Sequence, residues 1–161
     1  MPVKSLKKFL DDNRVKYVCI AHSPAYTAQE VAQSAHVPGR EMAKTVMVEL
    51  DKQMAMAVLP ANRKIVLQDL RELTGSDQVR FASEEAFQRR FPDCETGAMP
   101  PFGNLYGIPV YVDESLTEDK EIAFNAGSHY ELIRMAYMDF ERLVGPEVMS
   151  FSSARAPAVL V

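Results

Sequence analysis

The chain has 161 residues, of which 47% are hydrophobic and 25% charged, and its formal net charge is −4 at pH 7. This composition is typical of one globular domain, and the negative charge excludes broad coverage of a nucleic-acid backbone while leaving room for a pocket that holds one or two phosphates. No apolar run approaches the roughly 18 residues of a membrane span, and the N-terminal pattern predicts an amphipathic helix and not a signal peptide. The two cysteines, Cys19 and Cys94, lack metal-ligand spacing, so we expect a reduced, cytoplasmic protein.

The N-terminal half predicts helices and strands in alternation. Apolar Leu6, Phe9 and Leu10 recur at helical spacing, and Thr27-Ala-Gln-Glu30 has the spacing of a capping box. Two β-rich runs are separated only by Asp51-Lys52, the length of a tight hairpin. The predicted elements are a helix over 5–15, a strand over 17–22, a helix from 27 to Pro38-Gly39, and strands over 42–50 and 53–59.

The C-terminal half continues with short elements and one long loop. Gly75 ends a helix, Ser83 caps the next one, and several prolines and glycines mark 92–107 as loop. The predicted elements are helices over 67–74, 83–90 and 139–144, and strands over 79–82, 109–113, 121–125 and 130–136. We assign 1–150 to a single α/β domain of α+β type, with a mixed, strongly curved sheet flanked by helices, and 151–161 to a frayed tail.

Lys44 raises the first chemical question. In a strand it shares one face with Met42, Val46, Val48 and Leu50. Such a lysine either snorkels to water at a sheet edge or holds its ammonium at the rim of a pocket, facing an anion or a polarised carbonyl. The pattern alone leaves both interpretations open, and snorkelling is the commoner of the two.

Two further segments carry small and polar residues in a pattern that suits a ligand. The run TGAMPPFGNLYG over 96–107 contains Gly97, which permits close backbone approach, and Pro100-Pro101, which stiffen the chain. The strand over 121–125 ends in Asn125-Ala-Gly-Ser-His129, where small residues admit a ligand and polar ones supply donors and acceptors. An ordinary rigid loop and a polar turn are the alternative interpretations.

Other chemistries have little support. His22, His36 and His129 are far apart in sequence, and no acid or cysteine beside them gives zinc spacing. The sequence lacks G-x-S-x-G, P-loop and G-x-G-x-x-G motifs. An acid follows Cys94 and would raise the pKa of its thiol, which argues against a nucleophilic cysteine. We therefore predict neither a metal nor a cofactor.

The motifs AKTVMV over 43–48, GAMPPFG over 97–103 and FNAG over 124–127, together with HSPAYTAQE over 22–30, resemble the YbaK/ProX family. This family is also called the prolyl-tRNA synthetase-associated editing domain, and the resemblance covers roughly 5–150. It implies one α/β domain with a barrel-like sheet that hydrolyses amino acids wrongly attached to tRNA, mainly the tRNA for proline. The segments GAMPPF over 97–102 and EIAFNAG over 121–127 are more similar to stand-alone branches that act on alanine, serine or threonine than to the cysteine-specific YbaK branch. YbaK itself carries serine where this chain has Asn125.

The resemblance also implies a set of site residues and partners. It matches the family's catalytic lysine to Lys44. The substrate-binding residues that it implies are His22, Thr45, Gly97, Ala98, Pro100, Pro101, Asn125, Ala126, Gly127 and His129. The implied partners are the CCA acceptor end of an aminoacyl-tRNA and an aminoacyl-tRNA synthetase, with no membrane and no metal.

On this hypothesis the Lys44 ammonium holds a phosphate or the ester carbonyl of a mischarged Ala, Ser, Thr or Cys, while water or the ribose 2′-OH attacks. Backbone amides near Gly97 and Gly127 are then candidate oxyanion donors. Two other classes stay open: a regulator that binds aminoacyl-tRNA or a nucleotide without hydrolysis, and a protein-interaction module that retains only the fold. A cation on an apolar face favours the hydrolase and the regulator over the protein-interaction module.

Overall fold

The computed structural model describes residues 2–22, 30, 32–33, 35, 37–95 and 97–154. These residues form four α-helices, ten β-strands and two 3-10 turns. The helices are α1 (Pro2–Asp12), α2 (Leu67–Thr74), α3 (Glu84–Arg90) and α4 (Tyr137–Val144), and the 3-10 turns are Gly103–Leu105 and Glu114–Glu118. The strands are β1 (Tyr17–Ala21), β2 (Ala43–Leu50), β3 (Gln53–Pro60), β4 (Arg63–Ile65), β5 (Val79–Phe81), β6 (Val110–Asp113), β7 (Glu121–Asn125), β8 (Glu131–Ala136), β9 (Glu147–Met149) and β10 (Ser152–Ala154).

The strands lie in three sheets. The largest has the order β5-β2-β3-β6-β9, in which β2 is antiparallel to β3 and β5, and β6 is parallel to β3 and β9. The second has the antiparallel order β1-β8-β7, and the third is the pair β10-β4. This architecture confirms the predicted α/β class, although the sheets of the described residues do not close into a barrel.

The β2–β3 hairpin forms where the sequence predicts it. Asp51 and Lys52 have φ angles of 49° and 73°, the left-handed conformation that a tight two-residue hairpin turn requires. The Asp51 carboxylate accepts hydrogen bonds from the backbone N–H groups of Asp77 and Gln78, at 3.0 and 2.8 Å. The turn is thereby tied to the start of β5, and the register that places Lys44 opposite Leu59 is fixed.

Helix boundaries follow the expected local signals in the described chain. Ser83 precedes α3 and its hydroxyl accepts from the N–H of Ala86 at 3.1 Å, which confirms the predicted cap. Gly75 ends α2 in the left-handed conformation, with φ 70°. The predicted helix opened by 27–30 falls largely outside the described residues. No helix of the described residues has the length and apolar character to cross a bilayer.

Apolar side chains pack into three clusters. The main core lies on the Ala43 face of β2 and contains the largest aromatic side chains, among them Phe102, Phe124 and Tyr137. The second cluster contains buried residues beside the start of β2: Ala32, Val37, Met42, Ala61, Ala123 and Leu132. The third cluster contains buried residues along the opposite face of β2 and β3, with a helix and the C-terminal segment: Val48, Ala55, Ala57, Leu59, Leu70 and Phe151.

The C-terminal segment contains two strands, β9 and β10, that the sequence did not predict. Phe151, which the sequence places in the tail, is fully buried, and its N–H donates to the Asp113 carboxylate at 2.9 Å. Burying a phenylalanine contributes about 1.5–3 kcal/mol, and the hydrogen bond to Asp113 and the pairing with β4 add to it in holding the segment in place. Ser152–Ala154 then pairs with β4, so 151–154 pack with the domain, and 155–161 lie outside the described residues.

Candidate active site

Lys44 lies on the face of β2 that the alternation predicts. Its cross-strand partner is Leu59, and Val46 and Val48 pack into the third cluster on the same face. Met42, two residues earlier, packs into the second cluster. Lys44 is therefore half-buried at the junction of two apolar clusters, where a cation is costly unless a negative charge or a carbonyl group faces it.

A parallel bridge brings the end of β7 beside Lys44. Met42 pairs with Ala123, and the N–H of Ala123 donates to the C=O of Glu41 at 2.9 Å. Both strands run in the same direction from this bridge. Lys44 and Asn125, each two residues further on, therefore lie on the same face of their strands, just beyond the point where the pairing ends.

His22 reaches the same end of the three-stranded sheet. It directly follows β1, and its N–H donates to the C=O of Tyr130 at 2.9 Å. Ile20, Leu132 and Asn125 form one row across β1, β8 and β7. Because side chains alternate along a strand, His22 lies on the face of this row, which is also the face that carries Asn125.

The glycine–proline loop is hydrogen-bonded to the turn after β7. Glu95 N–H donates to Gly127 C=O at 3.0 Å, Gly127 N–H donates to Ala98 C=O at 2.8 Å, and Ala98 N–H donates to Glu95 C=O at 3.0 Å. The Glu95 carboxylate also accepts a hydrogen bond from the backbone N–H of His129 at 3.0 Å. The same carboxylate oxygen lies 3.8 Å from Nε2 of the His129 ring. Glu95 thus joins the two segments, a role that no motif in the sequence indicated.

Two glycines make this arrangement possible. Gly97 has φ +82° and Gly127 has φ +102°, backbone conformations that side chains with a Cβ rarely adopt. A Cβ on Gly97 would lie 3.9 Å from His129 Cε1, which is an ordinary contact. Glycine is therefore required at position 97 for its backbone conformation. This conformation brings the loop against the buried ring of His129.

The Gly127 amide already has an acceptor, so the oxyanion role predicted for amides near Gly97 and Gly127 stays a prediction for the other amides of these two segments. The Gly127 N–H is buried and already donates to Ala98, and the neighbouring Ala126 N–H donates to Glu131 C=O at 3.1 Å. A donor engaged in this way loses a hydrogen bond if it turns to a ligand. The amide of Gly97, in an exposed residue, stays a prediction.

The prolines and alanines of the predicted site lie beneath its surface. Pro100 and Pro101 are buried, and Ala98 and Ala126 are fully buried. These four residues shape the loop and the turn from the protein side. Their direct contact with a substrate stays a prediction.

Thr45 lies on the opposite face of β2 from Lys44. There it borders a cavity of about 180 Å³. Among the described residues the cavity is lined by Thr45, Met47, Phe81, Ala82, Ser83, Glu84, Phe87, Gly97 and Met99. The structure therefore divides the predicted site into a Lys44 face, with His22 and Asn125, and a Thr45 face with this cavity.

Each face contains a buried oxygen that has no hydrogen-bond partner among the described residues. Asn125 Oδ1 and Thr45 Oγ1 are both inaccessible to solvent and make no hydrogen bond within the described part of the chain. Leaving such an atom unsatisfied costs about 1–3 kcal/mol, so buried polar groups of this kind are typical of sites that a ligand completes. An amide oxygen accepts hydrogen bonds, and a hydroxyl can donate or accept.

Cys94 is inert. Burial raises the pKa of its thiol to about 11, and the negative charge of Asp93 adds to this, whereas a hydrogen bond with Tyr106 opposes it. The predicted direction of the pKa shift is confirmed, but burial is its main cause, and the acid that contributes is Asp93, which precedes Cys94, and not Glu95, which follows it. The described residues contain no group of three or more His, Cys, Asp or Glu side chains placed to hold a metal ion.

These features match a known class of protein. The family model for the aminoacyl-tRNA editing domain matches residues 22–143, and the chain belongs to this family. The resemblance drawn from the sequence motifs is confirmed. Editing is hydrolysis of an ester between an amino acid and the wrong tRNA, so the class of enzyme is an aminoacyl-tRNA hydrolase.

Individual relatives agree with this assignment. The chain is 27% identical over 141 residues to the prolyl-tRNA editing protein ProX of Acetoanaerobium sticklandii, covering 84% of this chain and 85% of that protein. The crystal structure of a protein described as a proposed trans-editing enzyme for prolyl-tRNA synthetase aligns with TM-score 0.80 and 22% identity. The alignment covers 95% of this chain and 98% of the other. A hypothetical protein of solved structure aligns with TM-score 0.82 and 21% identity, covering 92% and 99%. At these identities the two structures establish the fold alone.

Proposed function

We propose that the protein is a trans-editing deacylase that hydrolyses a small amino acid (Ala, Ser, Thr or Cys) from a mischarged tRNA, and that this tRNA is the one for proline. The observation that carries the proposal is the position of Lys44, which is half-buried between two apolar clusters and lies on the same face as Asn125. An ammonium in such a place has a use when the ligand brings a phosphate and a polarised ester.

In the proposed reaction Lys44 is the catalytic residue. Its ammonium holds the 3′-terminal phosphate or the ester carbonyl, and it stabilises the negative charge that develops on the carbonyl oxygen during attack. Asn125 Oδ1 accepts a hydrogen bond from the substrate, either from the α-ammonium of the amino acid or from a ribose hydroxyl. Water or the ribose 2′-OH is the nucleophile, oriented against the carbonyl by these contacts.

The choice of tRNA and partner rests on similarity. The curated relative is described as a prolyl-tRNA editing protein, and one structural neighbour is proposed to serve prolyl-tRNA synthetase. We extend this to the present chain as binding of the CCA end of tRNA for proline, with a prolyl-tRNA synthetase as a functional partner in the cytoplasm. A net charge of −4 is compatible with contact limited to the acceptor end.

A deacylation assay tests the proposal. The wild-type protein is incubated with tRNA for proline charged with Ala, Ser, Thr, Cys or Pro, and with the cognate alanyl-tRNA as a control for tRNA identity. We expect several small amino acids to be released, because an apolar pocket separates ligands that differ by a methylene by only about 1–3 kcal/mol. Binding of these tRNAs without release of any amino acid would instead support the non-catalytic regulatory module.

A further inference from the structure

Strand β2 separates the two faces of the site, and near Thr45 one of its edges is not paired with any described strand. Met47 C=O accepts from Ala82 N–H at 2.9 Å on the side of β2 that faces away from β3. Because backbone groups of alternate residues point to the same edge, the N–H and C=O of Thr45 point there too. Among the described strands, none pairs with this edge between the bridge at Met42 and the pairing with β5 that begins at Val48.

The cavity on the Thr45 face lies beside this edge. Its volume of about 180 Å³ is below the roughly 300 Å³ at which pockets for drug-sized ligands begin, and it corresponds to about six waters. Met47, Met99 and Phe87 supply an apolar lining, and thioether sulfurs make favourable contacts with aromatic rings. The buried Thr45 hydroxyl, which makes no hydrogen bond within the described residues, adds a polar group inside the cavity, and Ser83 and Glu84 add polar groups at exposed positions of its lining.

This combination suits a flat ring with apolar faces and a polar edge. We propose that the cavity receives the terminal nucleobase of the substrate, so that the aminoacyl nucleoside straddles this edge of β2. The base then lies on the Thr45 face, the ribose crosses the edge of β2 beside the Thr45 backbone, and the ester lies on the Lys44 face. The inference rests on the proposed function, because Lys44 fixes where the ester is.

The straddling geometry explains why adjacent residues on opposite faces can serve one ligand. Lys44 and Thr45 point in opposite directions, so a substrate confined to one face would meet only one of them. A nucleoside ester has two ends of different chemistry joined by a ribose, and an edge with which no described strand pairs leaves space for the ribose to pass. The base interaction is made with substrate and transition state alike, so its loss raises KM more than it lowers kcat.

The test compares two substrates across matched variants. One substrate is the alanyl ester of adenosine, and the other is the alanyl ester of ribose without a base. Ala82→Leu fills the cavity from its half-exposed rim, and Thr45→Val removes the buried hydroxyl. Ala86→Leu is the matched control. It makes the same substitution at a half-buried position of α3 that does not line the cavity.

The measured quantity is kcat/KM for the adenosine ester divided by kcat/KM for the ribose ester. We expect Ala82→Leu to lower this ratio about tenfold, mainly by raising KM for the adenosine ester, and Thr45→Val to lower it several-fold. Ala86→Leu should keep the ratio within twofold of the wild-type value. An equal ratio in all four proteins, or a wild type that does not prefer the base, would overturn the inference while the deacylase function stands. If the wild type hydrolyses neither ester, the assay with charged tRNA decides the proposed function. NMR titration with adenosine monophosphate then decides the inference separately: binding that is lost in Ala82→Leu and retained in Ala86→Leu supports it, and any other pattern overturns it.

Discussion

The backbone N–H of Gly127 donates to the backbone C=O of Ala98 at 2.8 Å, so the turn after β7 and the glycine–proline loop are held as one unit. Glu95 reinforces this unit through its backbone and through its carboxylate, which accepts from His129 N–H. The consequence is that two segments distant in sequence move together. A change in either one should therefore affect the position of Asn125, which ends β7.

Glu95→Ala should disturb this unit without affecting the rest of the fold. It removes the acceptor of the His129 N–H, and since the Glu95 side chain is 43% exposed we expect a modest loss of about 1 kcal/mol in the free energy of unfolding. Deacylation should fall about tenfold because the loop and the turn lose their relative position. Thermal unfolding and single-turnover deacylation measure the two effects.

Glu85→Ala is the matched control, since Glu85 is exposed and pairs only at the surface of α3 with Arg89. Both its stability and its activity should stay at wild-type values. Glu95→Gln retains an acceptor for His129 N–H and should recover most of the stability. Full deacylation by Glu95→Ala would contradict the view that this contact positions the site.

Gly97→Val should abolish deacylation with only a limited loss of stability. A β-branched residue at φ +82° costs about 1–3 kcal/mol, which corresponds to a fall of a few degrees in the unfolding midpoint. The loop relieves this strain by moving away from His129 and from the cavity. Deacylation and thermal unfolding are measured on the same preparation.

Gly107→Val separates strain from position in this comparison. Gly107 has φ +69°, and a Cβ there would meet no atom within 4 Å, so the backbone penalty is similar while the residue does not line the cavity. Equal loss of activity in the two variants would show that general strain, and not the position of the Gly97 loop, is responsible.

The sequence predicts those features that depend on neighbouring residues. The hairpin at Asp51-Lys52, the Ser83 cap and the alternation that places Lys44 on an apolar face each depend on a short window, and each is confirmed. The helix over 139–144 is found as well, beginning two residues earlier, at Tyr137.

The remaining features depend on contacts between distant segments. Strands β9 and β10 have three residues each and are held by Phe151 and by partners far away in the chain, so their own sequences carry little signal. The bridge that brings Asn125 to Lys44 and the engagement of the Gly127 amide likewise follow from tertiary packing. No local pattern distinguishes such an amide from a free oxyanion donor.

Asp119 should make the protein less stable at neutral pH than it would be with a neutral side chain. Burial raises the pKa of its carboxyl to about 6, and the nearby Glu41 carboxylate adds to this, whereas Arg40 opposes it. Because the folded-state pKa exceeds the unfolded value of 3.8, the free energy of unfolding decreases as pH rises through this interval and stays lower above it.

Asp119→Asn removes this ionisation. We expect the variant to gain on the order of 1–3 kcal/mol over wild type at pH 8 and to differ little from it near pH 4. Urea unfolding at both pH values measures the difference. Asp77→Asn, at an exposed position, is the control and should show no such pH dependence; a constant difference between Asp119→Asn and wild type at both pH values would contradict the assignment.

Lys44→Ala should separate function from folding. The substitution removes a half-buried cation from between two apolar clusters, so we expect the unfolding midpoint to stay within a few degrees of wild type or to rise. Deacylation should fall roughly 100-fold or more, the scale for loss of one preorganised electrostatic group. Lys64→Ala, at an exposed strand position, is the matched control and should retain full activity.

Two further measurements identify what the Lys44 ammonium holds. Lys44→Arg should rescue activity poorly, because a planar guanidinium differs in shape from a compact ammonium. If Lys44 grips the phosphate of the bound substrate, Lys44→Ala should also weaken binding of a non-hydrolysable aminoacyl-adenosine 3′-end analogue, whereas a role confined to the transition state leaves that binding nearly unchanged. Full deacylase activity in Lys44→Ala would refute the catalytic role, and the lysine would then be a snorkelling residue whose stem covers the two clusters.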